Sequence, residues 1–199
     1  MFLDLFGDPF KNPRGWPTLH FSEICETTQG VQIPRDKQKE EPSEGYERYL
    51  YINDFYSDDN PKYIEDRFPQ KLVTADDLVM ANTDSPGRVF KGRAGILSKN
   101  LFKITFDTKK ISTLFFYHFL ASNFFQRHLQ GQMKQGIQSH LGHKTFGAQK
   151  LPLPPISLQR EFGRRVTAVE ALKTAQRASL AELDALFATL QHRAFRGEL

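Results

Sequence analysis

Along the chain the apolar positions change period twice, and each change marks a different kind of element. From Trp16 to about residue 112 they come in short runs: Arg48-Tyr-Leu-Tyr-Ile52, Leu78-Val-Met-Ala81 and Leu101-Phe-Lys-Ile-Thr-Phe106. These runs are rich in β-branched and aromatic residues and bounded by turn formers, which predicts strands. Between them, Pro34-Arg-Asp-Lys-Gln-Lys-Glu-Glu-Pro-Ser-Glu-Gly-Tyr-Glu47 is a charged excursion, expected to be mobile and to add nothing to a core. From residue 111 the period becomes helical. Leu114, Phe115, His118, Phe119, Ser122 and Phe125 recur at three- and four-residue spacing, predicting one largely buried helix over 111–131 whose aromatic stripe reads as core. The stretch from Gly131 to Gly147 is then rich in glycine, amides and cations and nearly free of acids, the composition of a loop that can approach another molecule closely.

The third regime begins with Leu151-Pro-Leu-Pro-Pro155-Ile-Ser157, a stiff extended spacer, because each proline fixes φ and excludes helix in the residue before it. No Pro or Gly interrupts Arg164 to Arg196, which predicts a helix of about 35 residues and about 50 Å, capped by Ser157 or its neighbour. Positions alternating by four and three read Phe162, Val166, Val169, Lys173, Gln176, Leu180, Leu183, Phe187, Leu190 and Ala194, apolar at both ends and polar in the middle. A helix of this length needs a partner along it, and the chain offers no second helix to match. The expected partner is a second copy, paired as an antiparallel coiled coil through Phe162, Val166, Val169, Leu180, Leu183, Phe187 and Leu190. Lys173 and Gln176 either set the register of that seam or mark its drift onto Leu172 and Ala175.

At the other end, Asp8-Pro9-Phe-Lys-Asn-Pro13-Arg-Gly15-Trp16-Pro17 is too rich in proline for regular structure. The expected organisation is an α+β chain: a junction over 1–15, a mixed globular domain over 16–150, and a spacer with a long helix over 151–199. Composition supports a packed core, since 39% of the 199 residues are hydrophobic and 18 are Phe. Cys25 stands alone, which excludes a disulfide scaffold and a cysteine-based zinc site, and it reads as a small buried hydrophobe. The most apolar run, Leu114 to Phe125, is too short to cross a bilayer, and Met1 to Pro9 lacks the basic start of a signal peptide. The expectation is a cytoplasmic chain with no membrane contact.

Charge sharpens the picture. Residues 1–90 hold 10 Lys+Arg against 17 Asp+Glu, net −7, whereas residues 91–150 hold 10 against 1, net +9. Either the two segments neutralise each other on one folded surface, or the basic segment forms a face for nucleic acid. Catalytic patterns are missing. The only Pro-Pro pair lies in Leu153-Pro-Pro-Ile156, not in the Asn/Asp-Pro-Pro-aromatic signature of amino-methyltransferases, and the basic segment has one carboxylate, Asp107, where a nuclease needs several. There is no Walker loop, zincin helix or nucleophile elbow. His140 and His143, three apart, are a weak metal signal, so no metal and no cofactor are expected.

Leu151-Pro-Leu-Pro-Pro-Ile-Ser-Leu-Gln-Arg-Glu-Phe162, a proline spacer feeding a long helix, resembles the lead-in to the conserved helical region in specificity subunits of type I restriction-modification enzymes. Phe2-Leu-Asp-Leu-Phe-Gly-Asp-Pro9 with Asn12-Pro-Arg-Gly-Trp16 is similar to that family's junction between a helical region and the next target-recognition domain. Tyr49-Leu-Tyr-Ile-Asn53-Asp54, Asp77-Leu-Val-Met-Ala-Asn-Thr83, Gln135-Gly-Ile-Gln-Ser-His-Leu-Gly142 and Leu190-Gln-His-Arg-Ala-Phe-Arg-Gly-Glu-Leu199 resemble further parts of it. Members usually carry two recognition domains and two helical regions, and this chain has one of each, so it looks like a half subunit or the second half of a longer one.

The resemblance implies a non-catalytic subunit that reads one half of a split site in double-stranded DNA and docks methyltransferase subunits and a restriction subunit. The expected phosphate contacts are Arg88, Lys91, Arg93, Lys134 and Lys144. The expected base readers are Asn82, Thr83, Gln135, Gln138, Ser139 and His140, with Gln32, Arg35 and Lys37 further out. Each is also an ordinary surface residue type, and Asn82 and Thr83 also fit the end of a strand. The competing reading is an adaptor with a protein-binding head and a coiled-coil tail.

Overall fold

The computed structural model describes residues 2–135 and 140–197. It opens with α1 (Phe2–Phe6), β1 (Thr18–His20), the single turn α2 (Phe21–Ile24) and β2 (Cys25–Gln29). The strands β3 (Tyr46–Leu50), β4 (Lys62–Glu65), β5 (Leu72–Val73), β6 (Leu78–Ala81), β7 (Val89–Phe90), β8 (Gly95–Leu97) and β9 (Leu101–Phe106) follow. After them come α3 (Thr113–Ala121), α4 (Asn123–Gln135), α5 (His143–Gly147), β10 (Lys150–Pro152) and α6 (Ile156–Phe195).

The strands form an antiparallel sheet β2-β9-β6-β7 and a second sheet β4-β3-β8-β5, in which β3 and β8 run parallel. Leu78, Met80, Phe102 and Ile104 of the first sheet pack with the helices around Phe21, Phe115, Phe116, Phe119, Phe125 and Phe146. Val79, Ala81 and Leu101 pack with Leu50, Val73 and Leu97 of the second sheet. Burial on both faces explains why Leu78-Val-Met-Ala81 is a continuous apolar run without alternation.

The α+β class holds, and the runs at 78–81 and 101–106 are β6 and β9. Three elements differ from expectation. The strand expected at 48–52 lies at 46–50, because Asp54 accepts the Tyr51 N–H at 2.8 Å and pairs with Arg48, curling 52–55 into a 3-10 turn. The charged excursion is pinned instead of mobile. Lys39 exchanges two backbone hydrogen bonds of 2.9 Å with Tyr63, the Gln38 side chain bridges Ile33 and Tyr51, and the Lys39 ammonium lies 3.6 Å from the Tyr46 ring centre. The helix expected at 111–131 is two helices. Ser122 is extended (ψ 144°), its hydroxyl donates to the Phe119 carbonyl at 2.5 Å, and its oxygen accepts the Phe125 N–H at 3.3 Å. Serine thereby closes α3 and starts α4 while the aromatic period runs on across the break.

α6 is longer at its start than expected: 40 residues, about 60 Å. Pro155, not Ser157, occupies the N-cap, and the helix passes through Gly163, which packs against α3. A Cβ at Gly163 would lie 3.4 Å from Leu114 Cδ1. Gln159 is completely buried; its Oε1 accepts the Ser112 N–H at 2.9 Å, and its Nε2 donates to Pro154 O at 2.8 Å and Lys110 O at 3.2 Å. The spacer is correspondingly half strand, since Thr18 to His20 pair with Pro152 to Lys150.

Phe162 and Val166, expected in the inter-chain seam, are buried in the domain of their own chain; Phe162 lies 5.3 Å from Phe6 and 5.4 Å from Phe2, ring centre to ring centre. α1 thus joins the core and anchors the junction. From Thr167 to Gly197 every residue is exposed, so about 29 residues of helix, about 45 Å, bury no side chain in the domain, though Glu170 and Lys173 stay near His118 of α3. Val169, Leu180, Leu183, Phe187 and Leu190 keep the exposed stripe, with Leu172 and Leu186 on its flank. No described helix is long and apolar enough to cross a membrane.

Candidate nucleic-acid interface

The antiparallel register brings the end of β2, the β6–β7 loop and the β8–β9 turn to one edge of the first sheet, and the start of α5 joins them. Hydrogen bonds tie them together. Gln29 Nε2 donates to Leu101 O at 3.0 Å and to Lys99 O. This leaves its Oε1 to accept from His143 Nε2 at 2.9 Å, which assigns the ring proton there. Nδ1 of His143 shares a hydrogen bond of 2.5 Å with the Thr27 hydroxyl. Asn82 donates its N–H to Asn100 O at 3.0 Å and its amide to Lys99 O at 3.4 Å, while Leu141 N–H donates to Asn82 O at 2.7 Å. Asn100 Nδ2 donates to Asp84 Oδ2 at 3.3 Å.

Two grooves flank this edge and share Asp84. One, about 1050 Å³, has an aromatic and apolar floor of Phe55, Tyr56, Phe90 and Tyr117 with Arg88 and Lys91 on it. The Arg88 guanidinium lies 4.9 Å from the Tyr56 ring centre and the Lys91 ammonium 5.6 Å from that of Tyr117. The other, about 810 Å³, is polar and carries more acids than bases: Glu40, Asp54, Asp59 and Asp84 line it with Arg35 and Lys62, beside the amides of Asn53, Asn60 and Asn100.

The expected residues fall into four groups. Arg88, Lys91, Lys144 and His140 stand at the grooves or on the adjoining surface, exposed, and Gln32, Arg35 and Lys37 are exposed on the loop after β2. Asn82 and Thr83 follow directly on β6 and are half-buried, with Asn82 Oδ1 and Thr83 Oγ1 enclosed. Arg93 is occupied by Asp58 at 2.6 Å, and that hydrogen bond is the leading cause holding the Asp58 carboxyl below its usual pKa. Gln138 and Ser139, and the side chains of Lys134 and Gln135, lie outside the described residues. Thr27, Gln29, Lys99, Asn100, Asp84 and His143 complete the edge without having been expected there as contacts. Both ring nitrogens of His143 are engaged in hydrogen bonds, to Thr27 and Gln29.

The two segments neutralise each other only in part. Arg93 and Lys103 of the basic segment pair with Asp58 and Asp77 of the acidic one. Among the described residues, Lys91, Lys99, Lys144 and Lys150 have no carboxylate within 4.0 Å. Cys25 is half-buried, donates to Phe21 O at 3.1 Å, and has its thiol pKa pushed up to about 12 by burial, so it is no nucleophile.

Among curated proteins, the type I restriction enzyme MjaVIII specificity subunit of Methanocaldococcus jannaschii is 24% identical over 166 residues, 82% of this chain and 37% of that protein. The HsdS subunit of Thermoanaerobacter tengcongensis has the same fold, with a TM-score of 0.65 at 20% identity over 100% of this chain and 49% of its own. The S subunit of a type I restriction-modification system from M. genitalium gives 0.60 at 18% identity, over 89% of this chain and 45% of its own. The chain therefore spans between about a third and a half of the relatives it matches. The family described as type I restriction modification DNA specificity domain matches residues 13–184, and the chain belongs to that family.

Proposed function

We propose that this chain is a non-catalytic DNA-recognition subunit of a type I restriction-modification system, reading one half of a bipartite duplex site. The observation that carries the reading is the family match over residues 13–184. The Asp84–Asn100 pair at the grooves, beside Lys91, Lys99 and Lys144, supports it. Cations supply sequence-independent attraction to phosphate, and fixed amides and carboxylates supply base-edge readout. Methyl transfer, and cleavage where a restriction subunit joins, belong to partner subunits docked on α6.

In this reading the projecting part of α6 pairs antiparallel with a second copy, or with a corresponding helix, through Val169, Leu180, Leu183, Phe187 and Leu190. Leu172 and Leu186 widen the apolar stripe to more than a two-helix seam needs, which favours a further helix of a methyltransferase subunit on that flank. A two-fold pair of identical domains reads an inverted repeat.

The test is salt-dependent binding to duplex DNA together with charge reversal. Affinity falls steeply between about 50 and 200 mM salt if several phosphates are met. Lys91→Glu and Arg88→Glu weaken binding more than Lys37→Glu or Lys39→Glu do. Binding that is insensitive to salt and to the first two changes refutes the reading and favours the protein-binding adaptor.

A further inference from the structure

Asp84 is one of four carboxylates in the lining of the second groove; of the others, Glu40 pairs with Lys62 and Asp54 with Arg48, and Asp59 lines that groove alone whereas Asp84 lines both. It is exposed, it sits in the β6–β7 loop, and among the described residues no Lys or Arg lies within ion-pairing distance of it. Its backbone is left-handed (φ 58°), a conformation that Asp and Asn tolerate better than other side chains do. The loop is closed by hydrogen bonds from Ser85 N–H to Thr83 O (2.5 Å), Gly87 N–H to Ala81 O (2.8 Å) and Arg88 N–H to Ser85 O (3.0 Å). Gly87 (φ 89°) seats it on α4: a Cβ there would lie 2.5 Å from Leu129 Cδ2, and Gln126 Nε2 donates to Gly87 O at 2.8 Å. The carboxylate is therefore presented from a clamped loop at the point where the two grooves meet. Asn100 Nδ2 orients it by donating to Oδ2 at 3.3 Å, which leaves Oδ1 available.

An ionised carboxylate only accepts hydrogen bonds. Within a Debye length of DNA phosphates, about 8 Å, it is repelled, so it is tolerated at a base edge only where a donor faces it. In the major groove the donors are exocyclic amino groups. Adenine presents its N6 amino group beside the N7 acceptor, which opposes a carboxylate, whereas cytosine presents the N4 amino group alone. We propose that Asp84 is a specificity determinant that selects cytosine, through its N4 amino group, at one position of the half-site. This rests on the DNA-recognition reading above. A plain turn residue with left-handed backbone would serve equally well as Asn, and that difference makes the assignment testable.

The experiment is selection of duplexes from a randomised library by the full-length chain and by its Asp84→Asn and Asp84→Gly variants, both of which tolerate the left-handed backbone. The wild-type motif holds one cytosine position. Asp84→Asn moves that position toward adenine, whose N6 donor and N7 acceptor match a carboxamide, and Asp84→Gly loses the preference there by about 10-fold or more, with the other positions retained. An identical motif and affinity in all three chains overturns the assignment to Asp84 and leaves the DNA reading standing. Changes spread evenly over the whole half-site overturn it as well. A wild-type chain that enriches no motif overturns the DNA reading and the assignment together.

Discussion

Gln159 joins the long helix to the globular domain, and replacing it with leucine tests that role. The side chain is completely buried and makes three hydrogen bonds, one accepted from Ser112 N–H and two donated to the carbonyls of Pro154 and Lys110. Gln159→Leu keeps the volume and strands all three backbone groups, that of Pro154 buried and those of Ser112 and Lys110 partly so. At about 1 kcal/mol per hydrogen bond the loss is about 3 kcal/mol, which for a chain of this size lowers Tm by about 6–12 °C. Gln159→Glu adds a signature that packing cannot imitate. The introduced carboxyl still accepts from Ser112, but it must be protonated to donate to either carbonyl, so its folded-state pKa rises above the ordinary value. The unfolded chain then holds fewer protons than the folded one between those two values, and the variant loses stability as pH rises through that window. Urea denaturation of the wild type and both variants at pH 5 and pH 7.5 measures both effects. A loss below about 1 kcal/mol for Gln159→Leu, or no added pH dependence for Gln159→Glu, refutes the argument.

Gly163→Ala is expected to stabilise the chain by about 1 kcal/mol, because the added Cβ makes ordinary contact with Leu114 at 3.4 Å and helix propensity improves; a Tm rise of about 2–4 °C checks it. His118, its ring 5.5 Å from that of Phe162, has its pKa lowered from 6.5, first by burial and then by the charges of Lys91 and Lys173, with Glu170 opposing. Between that lowered value and 6.5 the unfolded chain binds more protons, so His118 makes the protein less stable as pH falls through this window. His118→Phe should flatten that part of the stability profile, and an unchanged slope in urea midpoints would count against it.

The elements legible in the sequence are those whose pattern is local. β6 and β9 are four- and six-residue runs bounded by turn formers, and α6 is long and nearly free of breakers. The break at Ser122 was not legible, because Leu114, Phe119 and Phe125 keep helical phase on both sides of a residue that acts as a cap only through its hydroxyl. β5 and β7 have two residues each, too few to show any period. Gln159 could be read only as part of a resemblance; its three partners, at Lys110, Ser112 and Pro154, explain why glutamine follows the prolines at that spacing.

The site was harder to read for the same reason. Local composition pointed to cations and amides near the basic segment, yet Arg93 is spent on Asp58, and Asn82 on closing β6 against the β8–β9 turn. Thr27 and Gln29 meet His143 across 116 and 114 positions of sequence, contacts made by strand register and not by any motif.

That register also has a mechanical consequence. β2 carries the proposed reading edge at Gln29 and follows α2 and β1 at Cys25, so the edge and the β1–β10 pair at the foot of α6 lie at opposite ends of one five-residue strand, about 17 Å long. Gln159, Phe162 and Gly163 fasten the start of α6 to the domain along α3. If two such rods pair antiparallel, the separation of their reading edges is set by helix register. Sliding one heptad moves the edges by about 10.5 Å, about three base pairs at 3.4 Å each. Polar residues within the seam, Lys173 and Gln176, are then the means of excluding the neighbouring registers. Replacing both with leucine should broaden the range of half-site spacings the protein accepts in steps of about three base pairs, and a single unchanged spacing would show that the register is fixed elsewhere.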